Sequence, residues 1–334
     1  MYYALIGVFL LSLVLVKIVV SNAPKWGLMD VPNGRSAHRN HTPRGAGIGF
    51  YFAVAIILPL FYSELLSEHW LVLLAIFLVL LVGILDDHRD TAPKTKFVVL
   101  ALSTVIIYLD GIYIDHVGIY FGMNVSLGWF ALPFTVFAVM GFTNALNLID
   151  GLDGLAGSLS IVILSAFFYI GVVHHDLFLL IFAGAFIAAL FAFLVYNWNP
   201  ASIFMGDSGS LTLGFLISVL AIKSLDYIPA VAVLFIAAVP LLDTFIVMIR
   251  RKRNGRSMFS ADKCHMHHLL QSFFGNSTKV TVVFLVVLQV IYTMIGLQFS
   301  IDMEESVPMV IFGLNVVLLY LLLNRMAQRQ ERNC

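Results

Sequence analysis

The sequence predicts an all-α polytopic membrane protein: about eleven transmembrane helices, one short periplasmic β-hairpin, and cytoplasmic loops that hold most of the polar chemistry. Three observations carry that prediction. Of the 334 residues, 60% are hydrophobic and only 11% are charged, whereas a soluble domain carries about 25% charged residues. The apolar residues fall in long uninterrupted runs. The lysines and arginines fall in alternate gaps between those runs.

Roughly 20 apolar residues are needed to cross a bilayer as a helix. In chain order the candidate spans are 2–20, 47–64, 69–85, 97–113, 128–146, 155–173, 177–195, 209–225, 228–249, 280–299 and 307–323. The first, "YYALIGVFLLSLVLVKIVV", lacks a basic leader and an A-x-A-like end, and reads as a retained span. The runs are too long and too uniformly apolar for the alternation of a membrane barrel. The eighth and ninth are divided only by "LDY" and a proline-containing junction. Between the fourth and fifth, "IYIDHVGIYFGMNVSL" (112–127) alternates around "GMN" as a surface hairpin does. No internal repeat or separate soluble segment stands out, so residues 1–334 read as one membrane domain. Cys264 and Cys334 stand far apart and form no CxxC motif or disulfide framework.

Orientation follows from the excess of lysine and arginine in cytoplasmic loops. With the N-terminus outside, segments 21–46, 86–96, 144–154, 197–208, 250–279 and 324–334 lie inside and hold 17 of the 19 basic residues. The remaining two are Lys17, at the inner end of the first run, and Lys223, near the outer end of the eighth. The outer segments carry acids instead, among them Glu64, Asp110, Asp176 and Glu305. The C-terminus is therefore expected inside.

Every unusual polar cluster then falls on the inner face. "GILDDHRD" sets Asp86, Asp87 and Asp90 at the end of a run. "NALNLIDGLDGLAG" spaces Asn144, Asn147, Asp150 and Asp153 three apart, a spacing that keeps neighbours together on one helix face. "NWNPASIFMGDSGSLTLG" offers Asn197 and puts Asp207 in a Gly/Ser turn before the eighth run. "RRKRNGRSMFSADKCHMHHLL" brings basic residues with His265, His267 and His268, and the first inner loop supplies Arg35, His38 and Arg44. Simpler readings exist for each. The first acids also fit a solvated helix end, Asp207 fits a helix N-cap, and the basic run fits attraction to anionic lipid. Cys264 with the three histidines suggests zinc, but no second Cys/His cluster completes a closed site. Asp243, inside the ninth run, is either a functional intramembrane acid or a partner of Arg250 or of a backbone group.

Five loops converging with Asp, Asn, His and Arg suit a hard divalent cation and phosphate. Mg²⁺ takes one or two carboxylates together with substrate phosphates, and phosphoryl transfer needs mainly positioning and charge neutralisation. At a membrane surface, one substrate is expected to be a lipid and the other a soluble phosphate ester.

"GILDDHRD", "NALNLIDGLDGLAG", "PASIFMGDSGSLTLG" and "DKCHMHHLL", in this order, resemble the polyprenyl-phosphate N-acetylhexosamine-1-phosphate transferase family, to which the peptidoglycan translocase is a more distant relative. The resemblance runs over most of the chain. The loop Asp30–Gly45, of form D-x-P-N-x-R-x-x-H-x-x-x-x-P-R-G, resembles the N-acetylglucosamine and O-antigen initiators. Two departures stand out. "RGAG" replaces a run of three glycines, which is tolerable if Ala46 takes an ordinary backbone angle. Asp90 fits the sugar-transferase DDxxD form, while Lys96 does not match the translocase lysine, against a muramyl-pentapeptide donor.

The resemblance implies a multi-pass enzyme of the bacterial inner membrane with its active-site loops facing the cytoplasm. Undecaprenyl phosphate and a UDP-N-acetylhexosamine, first of all UDP-N-acetylglucosamine, would give the lipid-linked diphospho-sugar and UMP, with Mg²⁺ or Mn²⁺. That step starts O-antigen or another cell-envelope polysaccharide. Other UDP-N-acetylhexosamines, such as N-acetylfucosamine or N-acetylquinovosamine donors, fit the same chemistry. Asp207 is expected as the principal metal ligand, with Asp86, Asp87 and Asp153 sharing the ion. Asp86 and Asp87 would orient or deprotonate the lipid phosphate, and Asp150, Asp153 and His268 complete the catalytic set. Arg35, His38, Arg44, Asp90, Asn144, Asn147, Asn197, His265 and His267 are expected to bind substrate. A homodimer is an allowed assembly and no nucleic acid is expected. An intramembrane aspartyl protease lacks its GxGD signature here, and a CDP-alcohol phosphotransferase lacks its arginine. An ion-coupled transporter would place ionisable groups near the midplane, often on repeated broken helices; only Asp243 comes close.

Overall fold

The computed structural model describes residues 1–30, 41–253, 255, 265–299 and 303–329. In chain order its elements are α1 (Tyr2–Trp26), β1 (Met29–Asp30), β2 (Thr42–Pro43), α2 (Ala46–Glu68), α3 (Trp70–Arg89), α4 (Pro93–Leu109), β3 (His116–Tyr120) and β4 (Met123–Ser126). A 3₁₀ turn, Gly128–Phe130, leads into α5 (Ala131–Ile149), α6 (Leu155–His174), α7 (Leu177–Asn197) and α8 (Gly206–Ser224). The chain finishes with α9 (Ala230–Ile236), α10 (Ala238–Arg253), α11 (Met266–Phe273), α12 (Thr278–Gly296) and α13 (Ser306–Arg329). All eleven apolar runs fall on helix. Eight of these helices are long and apolar enough to cross a membrane, and α9 with α10 makes a ninth if the bent pair counts as one span. The protein is a helical, multi-pass membrane protein.

α8 is the centre of the bundle, buried along nearly its whole length and packed against α2, α3, α5, α6 and α7. Its opening, Gly-Asp-Ser-Gly-Ser, explains the placement: small residues let helices approach closely where lipid supplies no hydrophobic drive between them. A Cβ on Gly83 would lie 2.5 Å from Ser208 Cα, and one on Gly47 would strike the backbone of Gly209. α2 and α3 therefore meet the first turn of α8 backbone to backbone.

The ninth run differs from its sequence reading. It is two helices bent by 89° at Ala237, not one span. Pro240 has no N–H to donate to the carbonyl of Ile236, four residues back. Gln289 of α12 repairs the break: its Nε2 donates to Ile236 O at 2.7 Å, and its Oε1 accepts the N–H of Val239 at 3.0 Å. A backbone polar group left open inside a membrane costs several kcal/mol, which accounts for a fully buried glutamine in an apolar helix.

The expected hairpin is present, with Ile119 opposite Asn124 and Tyr120 opposite Met123. It docks on the start of α13. Glu305 N–H donates to Ile119 O at 2.9 Å, Phe121 N–H donates to Ser306 Oγ at 2.9 Å, and Glu305 Oε2 accepts Val231 N–H at 2.7 Å. Burial, ahead of all other influences, raises the Glu305 carboxyl above its ordinary pKa. The strands β1 and β2, which frame residues 31–40, have no counterpart in the sequence reading. At "RGAG" the positive φ of 92° falls on Gly45, and Ala46 simply opens α2, so the missing third glycine is harmless.

Candidate active site

α5 runs from the hairpin to a cluster of carboxylates at the other end of the bundle. Asp86 and Asp87 occupy the last turn of α3, and Asp207 occupies the first turn of α8. Asp150 follows the last residue of α5, and Asp153 lies in the turn before α6. The three-residue ladder is therefore split: Asn144 and Asn147 are helical, whereas Asp150 and Asp153 belong to a turn in which Gly154 has φ 79°. The end of α5 at Ile149 breaks the expected single helix face.

One cation sits between two of these helices. Lys96, in the first turn of α4, contacts Asp86 Oδ2 at 2.8 Å and also pairs with Asp207 Oδ2. Asp86 is fixed from its other oxygen, which accepts the N–H and Oγ1–H of Thr91, each at 2.8 Å. Asn147 Nδ2 donates to Asp207 Oδ1 at 2.9 Å and to Ser210 Oγ at 2.8 Å. Asp150 stands beside them. Its burial, then the negative charges of Asp207, Asp87 and Asp153, push its carboxyl well above the usual carboxylate range. Among the described residues the cluster has a surplus of negative charge that the ammonium of Lys96 does not cancel.

Asp87 plays a different part from Asp86. Its Oδ1 accepts the backbone N–H of Asp207 at 2.8 Å and its Oδ2 accepts that of Ser208 at 3.0 Å. It caps α8 from another helix. Asp207 itself is not the N-cap, a position held by Met205.

Asn197, expected among the substrate contacts, is held within the fold. It is 4% exposed, its Oδ1 accepts Gly154 N–H at 2.9 Å, and its Nδ2 donates to Ile203 O at 2.8 Å. Both ends of the amide hold backbone. Asp153 is likewise engaged, its Oδ2 accepting from Asn199 Nδ2 at 2.8 Å and from Ala201 N–H at 3.1 Å. Asp90, whose side chain is 87% exposed, ends α3 with φ 45° and pairs with Arg44 Nη2 at 3.3 Å. Arg35, His38 and Cys264 lie outside the described residues.

The histidines join the acidic turn from the side. His265 is the N-cap of α11, and His267 and His268 lie in its first turn. His265 Nδ1 donates to Asp243 Oδ2 at 2.9 Å, and Met266 N–H donates to Asp243 Oδ1 at 2.6 Å. Asp243 thus has a histidine and a backbone partner. Ligand atoms of Asp243, His265 and His267 all lie within 4.8 Å of one another, a spacing open to a metal ion. The ring of His267 also reaches the acidic turn: a Cβ on Gly151 would lie 2.5 Å from its Nε2.

Lys96 is the central residue that the sequence reading set aside. One signal pointed to it: a lysine that opens an apolar run just after an acidic helix end has a carboxylate within reach.

Comparison with known proteins agrees with this geometry. The family model for glycosyl transferase family 4 matches residues 69–225, from the start of α3 to just past α8. A probable undecaprenyl-phosphate N-acetylglucosaminyl 1-phosphate transferase of Bacillus subtilis (strain 168) is 36% identical over 90% of this chain and 83% of its own. The undecaprenyl-phosphate alpha-N-acetylglucosaminyl 1-phosphate transferases of Escherichia coli (strain K12) and Yersinia pestis are 30% and 32% identical. They cover 92% and 87% of this chain and 87% and 82% of their own. With identities of this size over nearly the whole chain, and the acidic cluster inside the matched segment, the chain belongs to the polyprenyl-phosphate N-acetylhexosamine-1-phosphate transferases of glycosyl transferase family 4.

Proposed function

We propose that this protein transfers N-acetylglucosamine 1-phosphate from UDP-N-acetylglucosamine to undecaprenyl phosphate, releasing UMP and starting a lipid-linked cell-envelope glycan. The observation that carries the reading is the convergence of Asp86 and Asp207, from two helices, on one cation beside Asp150 and Asp153. An oxygen of the lipid phosphate attacks the β-phosphorus of the sugar nucleotide. A new P–O bond forms there, the bond from that phosphorus to the bridging oxygen breaks, and UMP leaves with the electron pair. A phosphate monoester has its second pKa near 6, so the attacking group is already largely dianionic at neutral pH and needs no covalent enzyme intermediate.

The donor set suits Mg²⁺ or Mn²⁺. Hard cations take oxygen ligands, and Asp86 Oδ2 and Asp207 Oδ2 are two carboxylate oxygens already directed at a positive charge. Asp207 and Asp86 would hold the ion, which when bound neutralises the diphosphate oxygens. Asn147 orients Asp207, Thr91 orients Asp86, and Asp87 fixes the α8 turn that presents Asp207. Asp153 shapes the turn through Asn199 and Ala201, and Asn144, Arg44 and the three histidines line the approach of donor and lipid phosphate. Lys96 keeps the acids from repelling one another and meets the incoming phosphates.

Eleven spans, with the N-terminus outside and the acidic cluster in the cytoplasm, complete the proposal. α4 and α8 then cross as the two less apolar helices, and the whole chain forms one domain of the bacterial inner membrane. The lysine and arginine distribution supports this orientation.

The test is direct. Membranes containing the protein are incubated with undecaprenyl phosphate, Mg²⁺ and sugar-labelled UDP-N-acetylglucosamine, and label in the organic extract is compared with UMP released. Equal, EDTA-sensitive amounts of both are expected. Label only with another UDP-N-acetylhexosamine would change the donor, and none with any donor from folded protein would refute the enzyme.

A further inference from the structure

His267 is 1% exposed, and neither of its ring nitrogens has a hydrogen-bond partner among the described residues. Asp243 Oδ2 lies 3.6 Å from its Nδ1, an ion-pair distance rather than a hydrogen bond, and burying an imidazole without a full hydrogen bond is unfavourable, so something must hold it there. The holding group is traceable. Asp243, on α10, accepts one bond from His265 Nδ1 and one from Met266 N–H, the residues on either side of the start of α11. The carboxylate therefore fixes both the ring before the helix and the first turn of the helix. His265 and His267 stack at 5.5 Å between ring centroids, and His267 meets His268 at 4.2 Å. From this turn the Nε2 of His267 is pressed against Gly151, between Asp150 and Asp153.

We propose that Asp243 is a positioning residue for the donor: it does not touch substrate, and it sets the histidines of α11 against the acidic turn so that they meet the sugar nucleotide. This inference rests on the transferase reading above. Its chemistry is specific. A carboxylate accepting from Nδ1–H leaves His265 Nε2 as an acceptor, or makes it a second donor once the ring is charged. An asparagine in the same place offers only one acceptor. With its oxygen on Met266 N–H, its amide turns to His265 Nδ1 and forces the proton of that ring to Nε2. The shape is kept and the tautomer is reversed.

The experiment compares wild type, Asp243→Asn, His267→Ala and the double variant in detergent or lipid nanodiscs. It measures kcat, KM for each substrate, and thermal stability. Asp243→Asn is expected to raise KM for the UDP-sugar about tenfold, to leave KM for undecaprenyl phosphate unchanged, and to keep stability near wild type. In the His267→Ala background the same change should add less than about twofold, because coupled residues are non-additive. Asp243→Glu, which keeps the charge and both acceptors, should restore most of the donor affinity. Additive effects, equal losses for both substrates, or a loss that tracks stability alone would overturn the positioning role. So would zinc found at one equivalent in purified wild type and lost in Asp243→Asn, since Asp243 would then be a metal ligand. Should Asp243→Asn not accumulate, His265→Ala and Asp243→Glu carry the same comparison. A wild type that makes no lipid-linked product refutes the transferase reading itself, and this role with it.

Discussion

Asp87 accepts the backbone N–H of Asp207 at 2.8 Å and so joins the end of α3 to the start of α8. The side chain of one acid fixes the backbone that presents another. Replacement by Asn keeps the size but turns an amide donor toward one of the two N–H groups. Asp87→Asn is expected to destabilise the protein by roughly 1–3 kcal/mol, the cost of a buried unsatisfied donor, and to lower turnover at least about tenfold. Thermal unfolding and product formation measured on the same preparation check this. Unchanged stability would mean that the cap is not made.

Lys96 supplies the positive charge between Asp86 and Asp207. In Lys96→Gln the two carboxylates face each other uncompensated. Stability should then depend on divalent cation: the unfolding temperature should fall in EDTA and recover with Mg²⁺, by more than in wild type. A variant indifferent to Mg²⁺ would show that these acids do not form a cation site.

Gly83 is needed because the backbone of Ser208 lies where a side chain would go, whereas a Cβ on Gly141 would meet nothing within 4 Å. Gly83→Ala should cost about 1–3 kcal/mol, as overpacking does, and should impair turnover by displacing Asp207. Gly141→Ala should leave turnover unchanged and leave stability equal or slightly higher, by helix propensity alone. Comparing the two by thermal shift isolates close packing from helix propensity.

Glu305 has its pKa raised by burial at the hairpin end of the bundle, where it is 3% exposed. The sign follows from linkage. A carboxyl whose pKa is higher folded than unfolded favours the folded state when protonated, and that contribution is lost as pH rises through the folded value. Wild type should therefore lose stability as pH rises above about 4.5, the ordinary glutamate value, relative to Glu305→Gln, in which the group cannot ionise. Parallel unfolding temperatures across that range would contradict the assignment.

Much of the architecture could be read from the chain because a helix in lipid announces itself by length and hydropathy. Each apolar run became helical, the ninth as a bent pair, and the alternation at 112–127 became a hairpin. The cluster of Asp86, Asp87, Asp150, Asp153 and Asp207 was readable for a related reason, since costly charges at span ends invite a common explanation. Pairings were not readable. Periodicity does not reveal that Asp87 binds backbone while its neighbour Asp86 faces a lysine, or that Asn197 spends its amide on Gly154 and Ile203. Those contacts join residues far apart in sequence, and their geometry exists only once the helices have packed. The break at Ala237 was hidden differently: Pro240 was visible, but the residue that makes it tolerable, Gln289, lies on another helix.

That repair also bears on the order of assembly. The carbonyl of Ile236 receives its bond from a side chain 53 residues further along, which does not exist while α9 and α10 are being synthesised. Until α12 emerges, the broken pair carries an open polar group that hydrocarbon penalises. The pair therefore settles into its final bend only when α12 arrives. A ribosome that stalled just after α10 would leave this helix pair unfinished, at the water-exposed border of the membrane or in the care of the insertion machinery, with its sequence complete and its structure waiting.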